Sequence, residues 1–203
     1  MTLLRLALAA SSAALLLIST TMAQTPTRVL IRGTIAAIDG KTAAITTREG
    51  PQVTVKLAEN WAVALVQPIA VTEIKPGTFV GIASLGGANS AREALEVLVF
   101  PEAMRGTGEG HYPWDLQPES MMTNATVATV ASASDGQTLK LDYKDGTQTI
   151  HVKPGTPVVT FAPGQQSDAK PGAKVFIGAM KAADGTLTAQ RLNVGKDGMT
   201  PPM

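Results

Sequence analysis

The chain has no cysteine, little aromatic content and almost no net charge. Without cysteine it can build neither a disulfide framework nor a thiolate site, so stability must come from buried apolar surface. Lys and Arg number 17 against 16 Asp and Glu, and no run of like charge stands anywhere. A protein held to nucleic acid mainly through phosphates needs a basic excess or stripe, and a polybasic lipid-binding patch needs a cluster. Both are excluded. Long apolar runs are missing as well, apart from one at the N-terminus. The next richest stretch, residues 61–71, is interrupted by Gln67 and Pro68, and a membrane-spanning helix needs about 20 apolar residues.

The N-terminal run has its own reading. Arg5 precedes an apolar stretch over residues 6–18, and small residues lead to Ala23 before the polar Gln24. A charged start, a short apolar run and a small exit residue make a secretory signal. Residues 1–23 are therefore expected to be a cleaved signal peptide, the localisation periplasmic or secreted, and the mature part free of membrane insertion.

What the chain does contain is an internal repeat, the feature to settle before assigning any element. Thr72-Glu73-Ile74-Lys75-Pro76-Gly77 recurs as Ser167-Asp168-Ala169-Lys170-Pro171-Gly172. At the same offset Val66 answers Phe161, Val80 answers Val175 and Ile82 answers Ile177. Upstream, Thr34-Ile35-Ala36-Ala37-Ile38 resembles Thr126-Val127-Ala128-Thr129-Val130. Downstream, Ala94-Leu95-Glu96-Val97 aligns with Arg191-Leu192-Asn193-Val194.

Each copy reads as strands. Val53, Val55 and Leu57 share one face, as do Leu139, Leu141 and Tyr143, which is the period-two pattern of a half-buried strand. Asp39-Gly40 and Asp145-Gly146 mark tight turns. The Thr72 and Ser167 segments predict a short helical turn with the hydroxyl as cap, followed by a Pro-Gly turn. Residues 91–98 fit a short helix in isolation, but their match to a β pattern in the second copy favours a strand. About five strands per copy predict an all-β fold: two tandem OB-like small β-barrels joined by an irregular segment. A two-sheet sandwich spread across both copies is the rival. The expected organisation is repeat 1 over 27–100, an inter-repeat segment over 101–123, repeat 2 over 124–195 and a disordered tail over 196–203.

The order Gly33-Thr-Ile-x-x-Ile, Gly-x-x-Val-Thr-Val, Lys75-Pro76-Gly77-x-x-Val80 and Ala94-Leu-x-Val resembles an uncharacterised family of exported bacterial OB-like domains, often in tandem in envelope proteins. Some similar proteins carry the label metal ABC transporter permease. A permease needs several membrane spans, which this sequence lacks. The resembling motifs are turn and strand signals, so they imply a fold and no chemistry.

Residues 101–123 are not repeated and hold His111, Tyr112, Trp114 and Asp115, the candidate ligand- or partner-binding residues. The plainer alternative is that the aromatic residues cover an open barrel end. His111 with Met104, Met121 and Met122 makes a soft N/S set suited to copper, to which Met199 and Met203 could add thioethers. No His pair, Cys or Met series gives it a diagnostic spacing, and methionine commonly serves as apolar filler. The carboxylates Glu102, Glu109, Asp115 and Glu119 lack the dense Asp/Asn/Gly loop of a calcium site. Gly106-Thr-Gly-Glu-Gly110 lacks the Lys-Ser/Thr ending of a phosphate loop. A serine hydrolase needs a base oriented by an acid; the two histidines are His111 and His151, and His151 falls in a strand at a position matching the plain Lys56.

The sequence thus points to a non-enzymatic exported binding or interaction protein, with an envelope protein or small ligand as partner and no cofactor. Copper binding through His111 and the methionines, and a hydrolase centred on the inter-repeat segment, are the two alternatives.

Overall fold

A computed structural model describes residues 25–87 and 91–203; the expected signal segment, 1–23, lies outside the described residues. Twelve strands follow in order: β1 (Thr27–Ile38), β2 (Thr42–Thr47), β3 (Gln52–Pro68), β4 (Phe79–Gly86), β5 (Arg92–Val99), β6 (Gly110–Pro113), β7 (Met121–Ala133), β8 (Gly136–Tyr143), β9 (Gly146–Val152), β10 (Val158–Pro163), β11 (Lys174–Lys181) and β12 (Leu187–Gly195). The all-β barrel architecture expected from the sequence is present. Val55, Leu57, Leu139, Leu141, Ile150 and Val152 are all buried on the faces their alternation assigned, and residues 92–99 form a strand.

The strands join into one continuous sheet that closes twice. In the first barrel β1, β2 and β3 pair in sequence, β12 adds parallel to β3, and β11 lies between β12 and β1. In the second, β7, β8 and β9 pair in sequence, β5 adds parallel to β9, and β4 lies between β5 and β7. Each barrel therefore takes three strands from one half of the chain and two from the other. This differs from the expected organisation, in which residues 27–100 and 124–195 each close alone. The cause is the length of β3. It runs 17 residues: past the end of β2 it stays beside β12 and takes β10 as its other, antiparallel neighbour, where Val66 faces Phe161. That pairing carries the chain across, so β4 and β5 complete the second barrel. Because the two halves offer the same apolar alternation, either set of final strands satisfies either barrel, which is the basis of strand exchange.

The cores confirm the exchange. Ile31, Ile35, Ile45 and Val55 pack with Val175, Ile177, Leu192 and Val194 in the first barrel. Val80, Ile82 and Val97 pack with Val127, Leu139, Leu141 and Ile150 in the second. The two Lys-Pro-Gly turns occupy matching places. Gly77 N–H donates to Val127 O and Gly172 N–H to Ile35 O, each at 2.8 Å. Both glycines have φ of +88°, a left-handed conformation that a side chain disfavours. Just before them, Ile74 seals the second barrel and Ala169 the first. The hydroxyls of Thr72 and Ser167 do not cap these turns. Ala70 occupies the cap position of one; in the other, Asp168 Oδ2 accepts the Gln165 N–H at 2.7 Å.

Two further expectations are corrected. The segment over 101–123 is not wholly irregular: β6 pairs with β7 to form a hairpin. The tail over 196–203 is ordered against the protein. Met203 is 2 % exposed and packs with Val66, Leu98, Val159 and Phe176 in a third apolar cluster between the barrels, while Arg32 Nε donates to the Met203 main-chain oxygen at 2.7 Å. Met199 and Met203, which the sequence offered only as thioether donors, anchor the tail as apolar side chains.

The exchange makes a directional prediction. Ile177→Ala removes a fully buried side chain and should cost about 2–5 kcal/mol. By amide hydrogen exchange, protection should fall first in β1–β3, the strands whose core Ile177 shares. Earlier loss in β7–β9 would show that each half closes on itself.

Candidate functional site

Alternation divides each barrel strand between an inward face and an outward one. On β5, Val97 points into the second barrel while Glu96 and Leu98 point out; on β12, Leu192 and Val194 point into the first barrel while Arg191 and Asn193 point out. Phe176, Gly178 and Met180 of β11 and Met122 and Asn124 of β7 share that outward side. The outward faces of the two barrels look toward one another across β3 and β10. Between them lies a cleft of about 910 Å³, walled also by Phe100, Phe161, Met104, Tyr112, Trp114 and Met203.

The inter-repeat segment forms one wall of this cleft. Arg105 pairs with Glu102 and donates to Gly77 O. Asn124 Nδ2 donates to Thr107 O and to the Tyr112 hydroxyl, at 3.0 and 3.2 Å. Tyr112 meets Trp114 edge-on, and Trp114 in turn contacts Phe176. Arg32 lies over both Trp114 and Phe176, its guanidinium carbon 5.8 and 5.2 Å from their ring centres. Its Nη2 pairs with Asp115 at 2.7 Å.

The four candidate binding residues therefore have separate placements. Tyr112 and Trp114 line the cleft, and Asp115 holds Arg32 at its edge. His111 points the other way, as neighbours on a strand must. Its Nδ1 is 2.8 Å from Thr123 Oγ1 and its ring stacks near Tyr143 of the second barrel. Burial, then the Arg92 charge, holds its pKa below the usual histidine value. The N/S set is divided in the same way. Met104 and Met122 line the cleft with Met180 and Met203, while Met121 lies opposite Pro113 on the His111 side of the hairpin. Among the described residues no three His, Cys, Asp or Glu side chains gather as metal ligands. No carboxylate orients His111: Nε2 faces the Gln148 amide at 3.5 Å. Glu109 and Asp115 are engaged apart, one accepting the Lys144 N–H at 3.0 Å and the other paired with Arg32.

The residue that sequence reasoning missed is Glu96. It is fully buried, lines the cleft, and its Oε2 has no hydrogen-bond partner. Oε1 accepts one long bond, 3.4 Å, from Ala83 N–H. Burial pushes its pKa up to about 8; the Ala83 bond and the Arg32 charge pull downward without offsetting the lost hydration. Two more buried polar atoms at the cleft are unpartnered, Asn193 Oδ1 and Trp114 Nε1. Asn193 Nδ2 is satisfied, donating to Phe176 O at 2.9 Å. Unpartnered buried polar atoms are few in folded proteins, since each costs about 1–3 kcal/mol. Three of them lie around this one cleft. The available signal was a carboxylate inside the apolar run Leu95-Glu96-Val97-Leu98-Val99, because a charged side chain is rarely buried there without a reason.

No protein-family model matches the chain, and neither a curated protein nor a solved structure matches it, so geometry carries the functional reading.

Glu96 sets a pH dependence. The native carboxyl keeps its proton to about pH 8, whereas the unfolded chain gives it up near 4.5. Between these values unfolding releases a proton, so this group lowers stability as pH rises through the window. His111 acts in the opposite sense in the range below its ordinary value near 6.5, so the comparison with Glu96→Gln isolates the carboxyl. Urea unfolding at pH 5, 7 and 9 should show wild type losing on the order of a few kcal/mol relative to Glu96→Gln across that range. Parallel curves for the two proteins would refute the burial of an ionisable group at this position.

Proposed function

We propose that this is a non-enzymatic binding protein of the bacterial envelope whose ligand occupies the cleft between the two barrels. The observation that carries the reading is the cleft itself: about 910 Å³, walled by aromatic and methionine side chains, with buried polar atoms of Glu96, Asn193 and Trp114 left without partners. Ligand sites in proteins have this composition, a mostly apolar wall with a few placed polar groups.

Several features support the remaining parts of the proposal. The strand order within each barrel, first, second, third, fifth, fourth, resembles that of an OB-type barrel, a scaffold used for binding on its outer strand face and loops. The matching Lys-Pro-Gly turns support descent of both halves from one duplicated unit. The N-terminal signal pattern supports export. Binding rather than catalysis is favoured by the histidines: the His111 ring is turned away from the cleft, and His151 is tied to Thr138 and Asp135 on the second barrel.

The reading is tested by a fragment screen followed by backbone amide resonances. Hits should shift amides of β5, β11, β12 and the 104–114 segment together. Ala62→Trp, placing a bulky ring on an exposed cleft position of β3, should abolish those shifts without altering the fold. Hits confined to other surfaces, or unaffected by the substitution, would remove the cleft from consideration.

A further inference from the structure

The chemistry of the cleft floor narrows the ligand class, on the reading that the cleft is the ligand site. Glu96 Oε2 and Asn193 Oδ1 are both oxygens, both buried and both without a donor. What such atoms lack is N–H or O–H groups. The cation whose charge acts on Glu96 is Arg32, but its guanidinium is already engaged by Asp115 and by the Met203 main-chain oxygen. It therefore does not neutralise Glu96. A carboxyl left in a desolvated site needs either a proton or a counter-cation.

The walls suit a cation as well. Aromatic faces attract positive charge through their quadrupole, and Tyr112, Trp114, Phe100, Phe161 and Phe176 all border the cleft. One of these pairs, Trp114 and Phe176, already holds the Arg32 guanidinium in this way, so the environment accommodates a desolvated organic cation when a carboxylate accompanies it. Methionines 104, 122, 180 and 203 border the same space. Their unbranched thioether chains re-pack readily, so the walls can adjust to a ligand that reaches the buried Glu96 carboxyl.

We propose that the cleft binds an organic monocation with an apolar, aromatic-sized body, its ammonium or amidinium N–H groups directed to Glu96 Oε2 and Asn193 Oδ1 and its body set among the aromatic rings. The proton balance follows. In the empty cleft Glu96 carries a proton; when the cation enters, that proton leaves to solvent and an ion pair replaces the neutral acid. No covalent bond changes. The other charged or titratable groups around the cleft are Arg28 beside Gly178, Glu59 on β3, Tyr112 and Arg191. Arg28 and Arg191 have no carboxylate partner among the described residues. They make an anionic ligand the natural competitor, and the test must decide between the two.

The probes are phenethylammonium, 2-phenylethanol and 3-phenylpropanoate, which share a ring and chain and differ in charge. Titration is followed by tryptophan fluorescence in a Trp61→Phe background, which leaves Trp114 as the reporter, by cleft amide resonances and by calorimetry in two buffers of different ionisation enthalpy. Phenethylammonium should bind most tightly, release close to one proton at pH 7, and tighten about tenfold per pH unit up to pH 8 before levelling. Glu96→Gln, which mimics the shape of the protonated acid, should fold like wild type and lose the proton release, the pH dependence and the preference for the amine over the alcohol. Binding of the amine without proton release, or tighter binding of the carboxylate, would overturn the cation assignment while leaving the cleft as a ligand site. If no probe perturbs the cleft, both the assignment and the site fall together.

Discussion

The antiparallel pairing of β3 with β10 is the constraint on which the rest of the molecule depends. It is short, from Val159 opposite Pro68 to Pro163 opposite Ala64, yet it joins the far end of the long β3 to the strand that follows β9. Once those strands are paired, the Lys-Pro-Gly turns that follow are delivered to the far barrel, where their N–H groups meet Val127 and Ile35. The final strands have nowhere to close except on the opposite half. The pairing also fixes the distance and angle between the barrels, so it creates the cleft. Neither barrel alone would have one. Val66 and Phe161 sit opposite one another at the centre of this seam and, with Val159 and Leu98, form the apolar floor on which Met203 comes to rest.

What could be read from the sequence follows the same division. Local signals were legible because they are decided locally: alternate burial within strands, the Pro-Gly turns that end at Gly77 and Gly172, the strand character of residues 92–99. The strand exchange was not legible, because the two halves carry the same apolar alternation and periodicity cannot say which copy of β4 or β11 fills a gap. Register at the last strand was also misplaced. Aligning Ala94–Val97 with Arg191–Val194 puts Glu96 against Asn193. The pairings show otherwise: Val80 lies opposite Val99 as Val175 lies opposite Val194, which makes Glu96 the counterpart of Arg191 and Leu98 that of Asn193. Bulges in both pairs, after Ala83 and after Phe176, add residues that a linear alignment of similar letters cannot place. His111 shows the same limit in the candidate site. Its type singled it out, but only the pairing of β6 with β7 reveals that it and Tyr112 face opposite ways.

Comparing positions that pair equivalently separates structural from functional pressure without any second sequence. Inside the barrels most counterparts agree, Val80 with Val175, Ile82 with Ile177, Val97 with Leu192, Val99 with Val194 and Ile35 with Val127, the exception being Ile31 with Thr123. Facing the cleft they diverge in kind: Glu96 with Arg191, Leu98 with Asn193, Gly81 with Phe176 and, at its edge, Arg32 with the lining Asn124. Inward positions are held by packing, where a change of one or two methylenes costs about 1 kcal/mol or more. Outward positions of an ordinary barrel face water and drift toward interchangeable polar residues. These instead include a fully buried carboxyl, a buried amide and a ring that carries a guanidinium. The difference between the halves is therefore concentrated where the two-fold likeness of the molecule would otherwise give a symmetric, featureless groove. A symmetric cleft has no means of orienting an unsymmetrical ligand. Placing an acid on one wall and a guanidinium at the matching point of the other gives the cleft a direction, and that asymmetry is the physical reason to place the function at the seam and not on either barrel.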